Sequence, residues 1–145
     1  MQERMNRSTL IWAAALLAVL DVGVHLRRSL IPNGNPFASP LHQQFFLYCV
    51  VAIVLVGTTL TGPMWLKGRA WLASAGLLAW EAGAIIVWLL AYHAPNPPGV
   101  VPDEGYVSKV LEALVVALLA ASLLTSGHGQ EREAFAASPQ NLTGQ

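Results

Sequence analysis

Four apolar runs, each close to the length needed to cross a bilayer, constrain this chain more than any other feature. A transmembrane helix takes about 20 predominantly apolar residues. Runs of that order lie at about residues 8–28, 41–61, 70–92 and 106–125 of the 145. Only 11% of the residues are charged, against about 25% in soluble domains. In hydrocarbon the backbone must satisfy its own polar groups, so spanning segments are helices or closed barrels. Runs this long predict helices. The expected fold is all-α: a polytopic membrane protein with a four-transmembrane-helix bundle over 1–125 and a polar, flexible cytoplasmic tail over 126–145. Its first partner is the lipid bilayer. The formal net charge is zero, so no nucleic-acid footprint is present.

The joints between the runs are marked by helix breakers. Ser8 or Thr9 can cap the first run, which ends at Arg27-Arg28. Pro-Asn-Gly-Asn-Pro at 32–36 and Ser39-Pro40 separate it from the second run. Gly62-Pro63 is the expected turn after the second run, followed by an amphiphilic interfacial piece, Met64 to Arg69. Four prolines and two acids lie between His93 and Glu104. Gly76, Ala79 and Gly83 offer a small-residue stripe for close helix packing. The first run is long and lacks a clear cleavage site, so it reads as a retained helix. Cys49 is the single cysteine and reads as a buried apolar side chain.

Four spans put both termini on one side. Arg4, Arg7, Lys67, Arg69 and Arg132 lie on that side; Arg27, Arg28 and Lys109 lie on the other. The excess predicts a multi-pass protein of the cell (inner) membrane with both termini in the cytoplasm.

Ionisable groups inside such runs are costly and point to function. Asp21 and His25 are four apart, so they share a helix face. At 1.5 Å per residue, Asp21 lies roughly 10 Å below the outer end of the first run, and Glu112 roughly 9 Å below the outer start of the fourth. His42 opens the second run and His93 closes the third. Glu81 stands near mid-depth. Two readings fit. Asp21 and His25 with a histidine from a second helix suit a divalent transition metal, copper and zinc in particular. Alternatively, Asp21, Glu81 and Glu112 form a proton or ion pathway with histidine as intermediate. Structural roles stand beside both: an Asp21–His25 pair, with Arg28 as a third member; interfacial His42 and His93; Glu112 paired with Lys109; Glu81 bonded to a neighbouring helix or facing a partner protein. Trp65, Trp71 and Trp88 read as belt or packing residues. Haem ligation ranks low, because His42 and His93 sit at helix ends. No nucleophile elbow, phosphate loop or zinc-protease helix is present.

Asp21-x3-His25 followed by Asn35-Pro36-Phe37-Ala38-Ser39-Pro40-Leu41-His42 resembles the C-type membrane subunit of the copper-dependent membrane monooxygenases, the methane, ammonia and short-hydrocarbon enzymes. Leu66-Lys67-Gly68, Pro95-Asn96, Gly99, Asp103-Glu104-Gly105 and Glu112 are similar to later elements of that pattern. The loop between His25 and His42 is longer here. Tyr106 stands where the family carries a histidine of a second cluster. The chain covers only the central and C-terminal helices of a full-length member.

The resemblance implies a shortened, divergent relative of that membrane subunit, with copper, or zinc in its place, on Asp21, His25 and His42. Glu112, His93, Glu81 and Tyr106 would then act around that ion or as a proton relay. It also implies partner subunits that complete an oxidoreductase acting on a small apolar molecule or ammonia with O2, the chain alone being inactive. Without those subunits a homo-oligomer is the alternative assembly. The competing expectation is a non-enzymatic four-helix protein whose buried carboxylates serve assembly or proton transfer, or a structural accessory protein.

Overall fold

The computed structural model describes the backbone of residues 2–30, 39–92 and 103–136, and the side chains of 7–30, 39–91 and 105–125. These residues form α1 (Gln2–Leu30), α2 (Pro40–Trp65), α3 (Trp71–Tyr92) and α4 (Asp103–Ala136). All four contain a stretch long and apolar enough to cross a membrane: Arg7–Leu30, Pro40–Trp65, Trp71–Ala91 and Gly105–Thr125. The protein is an all-α four-helix bundle, as its apolar runs predict. Each helix packs on two neighbours, in the order α1, α2, α3, α4 and back to α1. α1 and α3 therefore face each other across a diagonal.

The distribution of side chains is reversed relative to a water-soluble bundle. Trp12 and Leu16 are 61% and 62% exposed, and Val54, Val87 and Leu90 also point outward. The interior instead holds Asp21, Glu81, Glu112, Ser29, Ser74, Ser108 and Ser122. An apolar exterior of this extent suits hydrocarbon, where outward leucines lose nothing. Small residues set the α1 packing: Ala14, Ala15 and Ala18 meet Val56, Leu77, Val115 and Leu119 in one apolar cluster. A second cluster, Val22, Cys49 and Ala52, lies closer to the polar centre. Cys49 is buried and free, with its thiol donating to the Val22 carbonyl at 3.5 Å. Several hydroxyls in the spans bond to carbonyls of their own helices. Thr58 and Thr61 donate to the carbonyls of Val54 and Gly57, four residues back, and Ser29 and Ser122 to those three residues back.

Three boundaries differ from the sequence expectation. α1 begins at Gln2, so Ser8 and Thr9 lie within the helix and do not cap it. α2 runs through Gly62-Pro63 and ends at Trp65. Pro63 lies in the last turn, where its missing N–H and ring disturb only the end of the helix. The turn falls instead at Lys67 and Gly68, with φ of 36° and 85°, left-handed values that favour glycine at the second position. Gly62 matters for a different reason. A Cβ there would meet Leu66 Cδ1 at 3.1 Å, so glycine leaves room for the Leu66 side chain at the end of α2, while Ala73 Cβ of α3, at 3.7 Å, would be at ordinary contact distance. At the other end, α4 continues past Thr125 to Ala136, so the first part of the expected flexible tail is helical. Residues 31–38, 93–102 and 137–145 lie outside the described residues.

Candidate metal centre

α1 presents Asp21, His25 and Ser29 at four-residue spacing, all buried, one above the other on the inward face. α4 presents Ser108 and Glu112 at the same spacing, also buried. Where these two stripes meet, Asp21, His25 and Glu112 offer one ligand atom each, all within 4.8 Å of one another. Among the described residues this is the one group of three such side chains able to hold a metal ion.

His25 is oriented by its surroundings. Its Nδ1 lies 3.2 Å from the Asp21 carbonyl oxygen and 3.3 Å from Asp21 Oδ2. The neutral tautomer that fits carries its proton on Nδ1, donated to Asp21. Nε2 then turns its lone pair toward Glu112 Oε1, 3.8 Å away. Carboxylate-oriented imidazoles of this kind are the usual form of a metal-ligating histidine. Stacking fixes the ring plane: Tyr48 lies 4.2 Å away, centroid to centroid, at 26°, and Phe45 leans on it at 5.5 Å.

The polar network extends to all four helices. The Tyr48 hydroxyl on α2 is 2.8 Å from Asp21 Oδ2 and 2.7 Å from Glu81 Oε2 on α3. A phenol has one proton to donate, so this bridge is complete only when one carboxyl brings a proton of its own. On α4, Ser108 donates to Glu112 Oε1 at 3.1 Å, and the Lys109 ammonium contacts the same oxygen.

Each of the three buried carboxyls also keeps one oxygen without a hydrogen-bond partner: Asp21 Oδ1, Glu81 Oε1 and Glu112 Oε2. Buried polar atoms are ordinarily satisfied, and an exception asks for an explanation. Asp21 and Glu112, the two carboxyls of the ligand group, bring two negative charges when ionised, of which the Lys109 ammonium offsets one, while Glu81 is the carboxyl free to carry the proton that completes the Tyr48 bridge. Zinc–oxygen and zinc–nitrogen bonds of about 2.1 Å put tetrahedral ligands about 3.4 Å apart. A spread of up to 4.8 Å therefore needs a contraction of up to about 1.4 Å, for which the Glu112 side chain has the most torsional freedom.

The other sequence candidates are dispersed. His42 sits in the first turn of α2, its Nδ1 2.6 Å from Ser39 Oγ. Ser39 is the N-cap of that helix and accepts from the His42 N–H at 3.3 Å. The ring is tied back to its own cap and does not join Asp21 and His25. Glu112 takes the third place. Glu81 reaches the centre through Tyr48. Tyr106 is exposed and meets Trp88 edge-on at 6.0 Å. His93 lies outside the described residues. Tyr48 belongs to no motif in the sequence, and its one signal there is that a phenol deep in an apolar run needs a partner for its hydroxyl.

No protein-family model matches this chain, and no curated protein or solved structure is detectably similar to it.

Proposed function

We propose that this chain is an integral membrane metal-binding protein that holds one divalent transition-metal ion on Asp21, His25 and Glu112. The observation that carries the reading is the set of buried carboxylate oxygens without partners beside an imidazole already oriented by Asp21. Copper is the first ion to test, because Asp21-x3-His25 resembles the metal-binding stretch in the C-type subunit of the copper membrane monooxygenases. Membership of such a complex, with partner subunits, O2 and a small apolar substrate or ammonia, is part of the same proposal. The donor set of one imidazole and two carboxylates is poorer in nitrogen than Asp/His/His, and on ligand chemistry alone it fits zinc as well as copper. The ion would supply Lewis-acid or redox chemistry. The chain supplies a buried, charged pocket and a histidine oriented by Asp21. His25→Ala is expected to abolish stoichiometric copper or zinc in the purified protein; unchanged metal content in that variant removes the reading.

A second reading is favoured by the Tyr48 bridge. A hydroxyl shared by Asp21 and Glu81 joins α1 to α3 as a proton path would. That reading predicts no tightly bound metal, and a loss of function from Glu81→Gln as large as that from His25→Ala.

A further inference from the structure

Tyr48 stacks on two rings from two other helices. Its centroid lies 4.2 Å from that of His25 at 26° and 5.6 Å from that of Trp80 at 27°. His25, Tyr48 and Trp80 belong to α1, α2 and α3. Packing explains why a phenol and an indole meet inside a bundle. It does not explain the treatment of their polar hydrogens.

The Tyr48 hydroxyl has two carboxyl oxygens in reach, Asp21 Oδ2 at 2.8 Å and Glu81 Oε2 at 2.7 Å. The neighbouring ring has the opposite surroundings. Trp80 Nε1 is buried and has no hydrogen-bond partner, although an indole N–H is a donor and such orphans are exceptions.

This asymmetry decides where an oxidising equivalent comes to rest. Removing an electron from an aromatic ring leaves a cation, and an unpaired buried cation is costly. The cost is avoided when the ring's acidic proton leaves together with the electron. Trp80 has no acceptor for its proton. Tyr48 has one. Its O–H bond breaks, and the proton forms a new O–H bond on the ionised member of the Asp21–Glu81 pair. The electron passes to the oxidant, and a neutral phenoxyl radical remains. The other carboxyl, already protonated, donates to the phenoxyl oxygen. The step buries no new charge.

We propose that Tyr48 is a one-electron redox site, oxidised through Trp80 by an outer-sphere one-electron oxidant, with its proton held by Asp21 or Glu81. No ion takes part in the step, so it stands or falls separately from the metal reading.

The chain has three tyrosines, so the test uses the full chain with Tyr92→Phe and Tyr106→Phe, treated with chelator and placed in lipid nanodiscs. Flash photolysis of tris(bipyridyl)ruthenium with persulfate supplies the oxidant, and EPR of freeze-trapped samples reads the radical. A tyrosyl signal is expected, narrowed by ring-deuterated tyrosine and unchanged by ring-deuterated tryptophan. Trp80→Phe keeps a ring that is harder to oxidise and should slow formation of the signal by about tenfold or more. Asp21→Asn with Glu81→Gln removes both proton acceptors and should shorten the radical's lifetime by about tenfold or more. If that double variant loses structure, the isotope pattern of the parent chain decides alone. A signal narrowed by deuterated tryptophan in place of tyrosine would overturn the proposal. So would the absence of a radical, or a tyrosyl signal whose formation and lifetime neither set of substitutions alters.

Discussion

Glu112 Oε1 faces His25 Nε2 at 3.8 Å across the seam between α4 and α1. This contact makes Glu112, and not His42, the side chain that completes the cluster begun by Asp21 and His25. Glu112→Gln keeps the size of the side chain and removes its charge, and should lower metal affinity at least tenfold. His42→Ala should leave the metal content of the purified protein unchanged. The reverse pattern would assign the third ligand to His42.

Tyr48 donates one proton between two buried carboxyls. Tyr48→Phe keeps the stack on His25 and leaves Asp21 Oδ2 and Glu81 Oε2 without that donor. Orphaning a buried polar group costs about 1–3 kcal/mol, so the variant should unfold at lower temperature in detergent. Glu81→Gln combined with Tyr48→Phe should be non-additive by about 0.5–3 kcal/mol. Strict additivity would mean that the bridge has no energetic content.

Lys109 competes with any cation for Glu112. Its ammonium contacts Glu112 Oε1, one of the oxygens an ion would use. Lys109→Met should therefore tighten metal binding, because the competitor and its repulsion are gone. The metal-free protein should be less stable, by at most about 3–5 kcal/mol, since a buried carboxylate loses its counter-charge. Titration with a competing chelator, alongside thermal unfolding with and without metal, separates the two effects.

Much of this architecture is legible in the sequence because hydrocarbon leaves few choices. The four runs give four helices, and the Asp21–His25 spacing gives one inward stripe. The helix ends are less legible. Pro63 reads as a stop, yet it falls where the helix is already finishing, and the turn is made one step later at Lys67-Gly68. The third member of the cluster is the clearest divergence. His42 has a ligand's chemistry and position along the chain, but Ser39 one turn back binds its ring. Glu112 reads equally well as a partner of Lys109, and it is that too. What decides between such roles is which faces of α1 and α4 meet, and helical periodicity within each run does not specify that. Tyr48 illustrates the same limit: its spacing says nothing of the two acids on other helices that share its hydroxyl.

Metal binding should weaken in acid. A ligating imidazole must be neutral and a ligating carboxyl ionised, so protons compete for the same lone pairs. Affinity is then lowest at low pH and rises with pH until the ligands are deprotonated. The slope is about tenfold per pH unit for each proton the ion displaces. Dissociation constants measured against a chelator between about pH 5 and 8 give that number. A flat profile would contradict binding through His25 and the two acids.

The most direct test of the account is elemental analysis of the wild-type protein purified in detergent and loaded with copper or zinc, then dialysed free of excess ion. One ion per chain is expected, retained through dialysis and absent from a preparation carrying His25→Ala and Glu112→Gln. A wild-type protein that retains no metal, or one whose metal survives both substitutions, would contradict it.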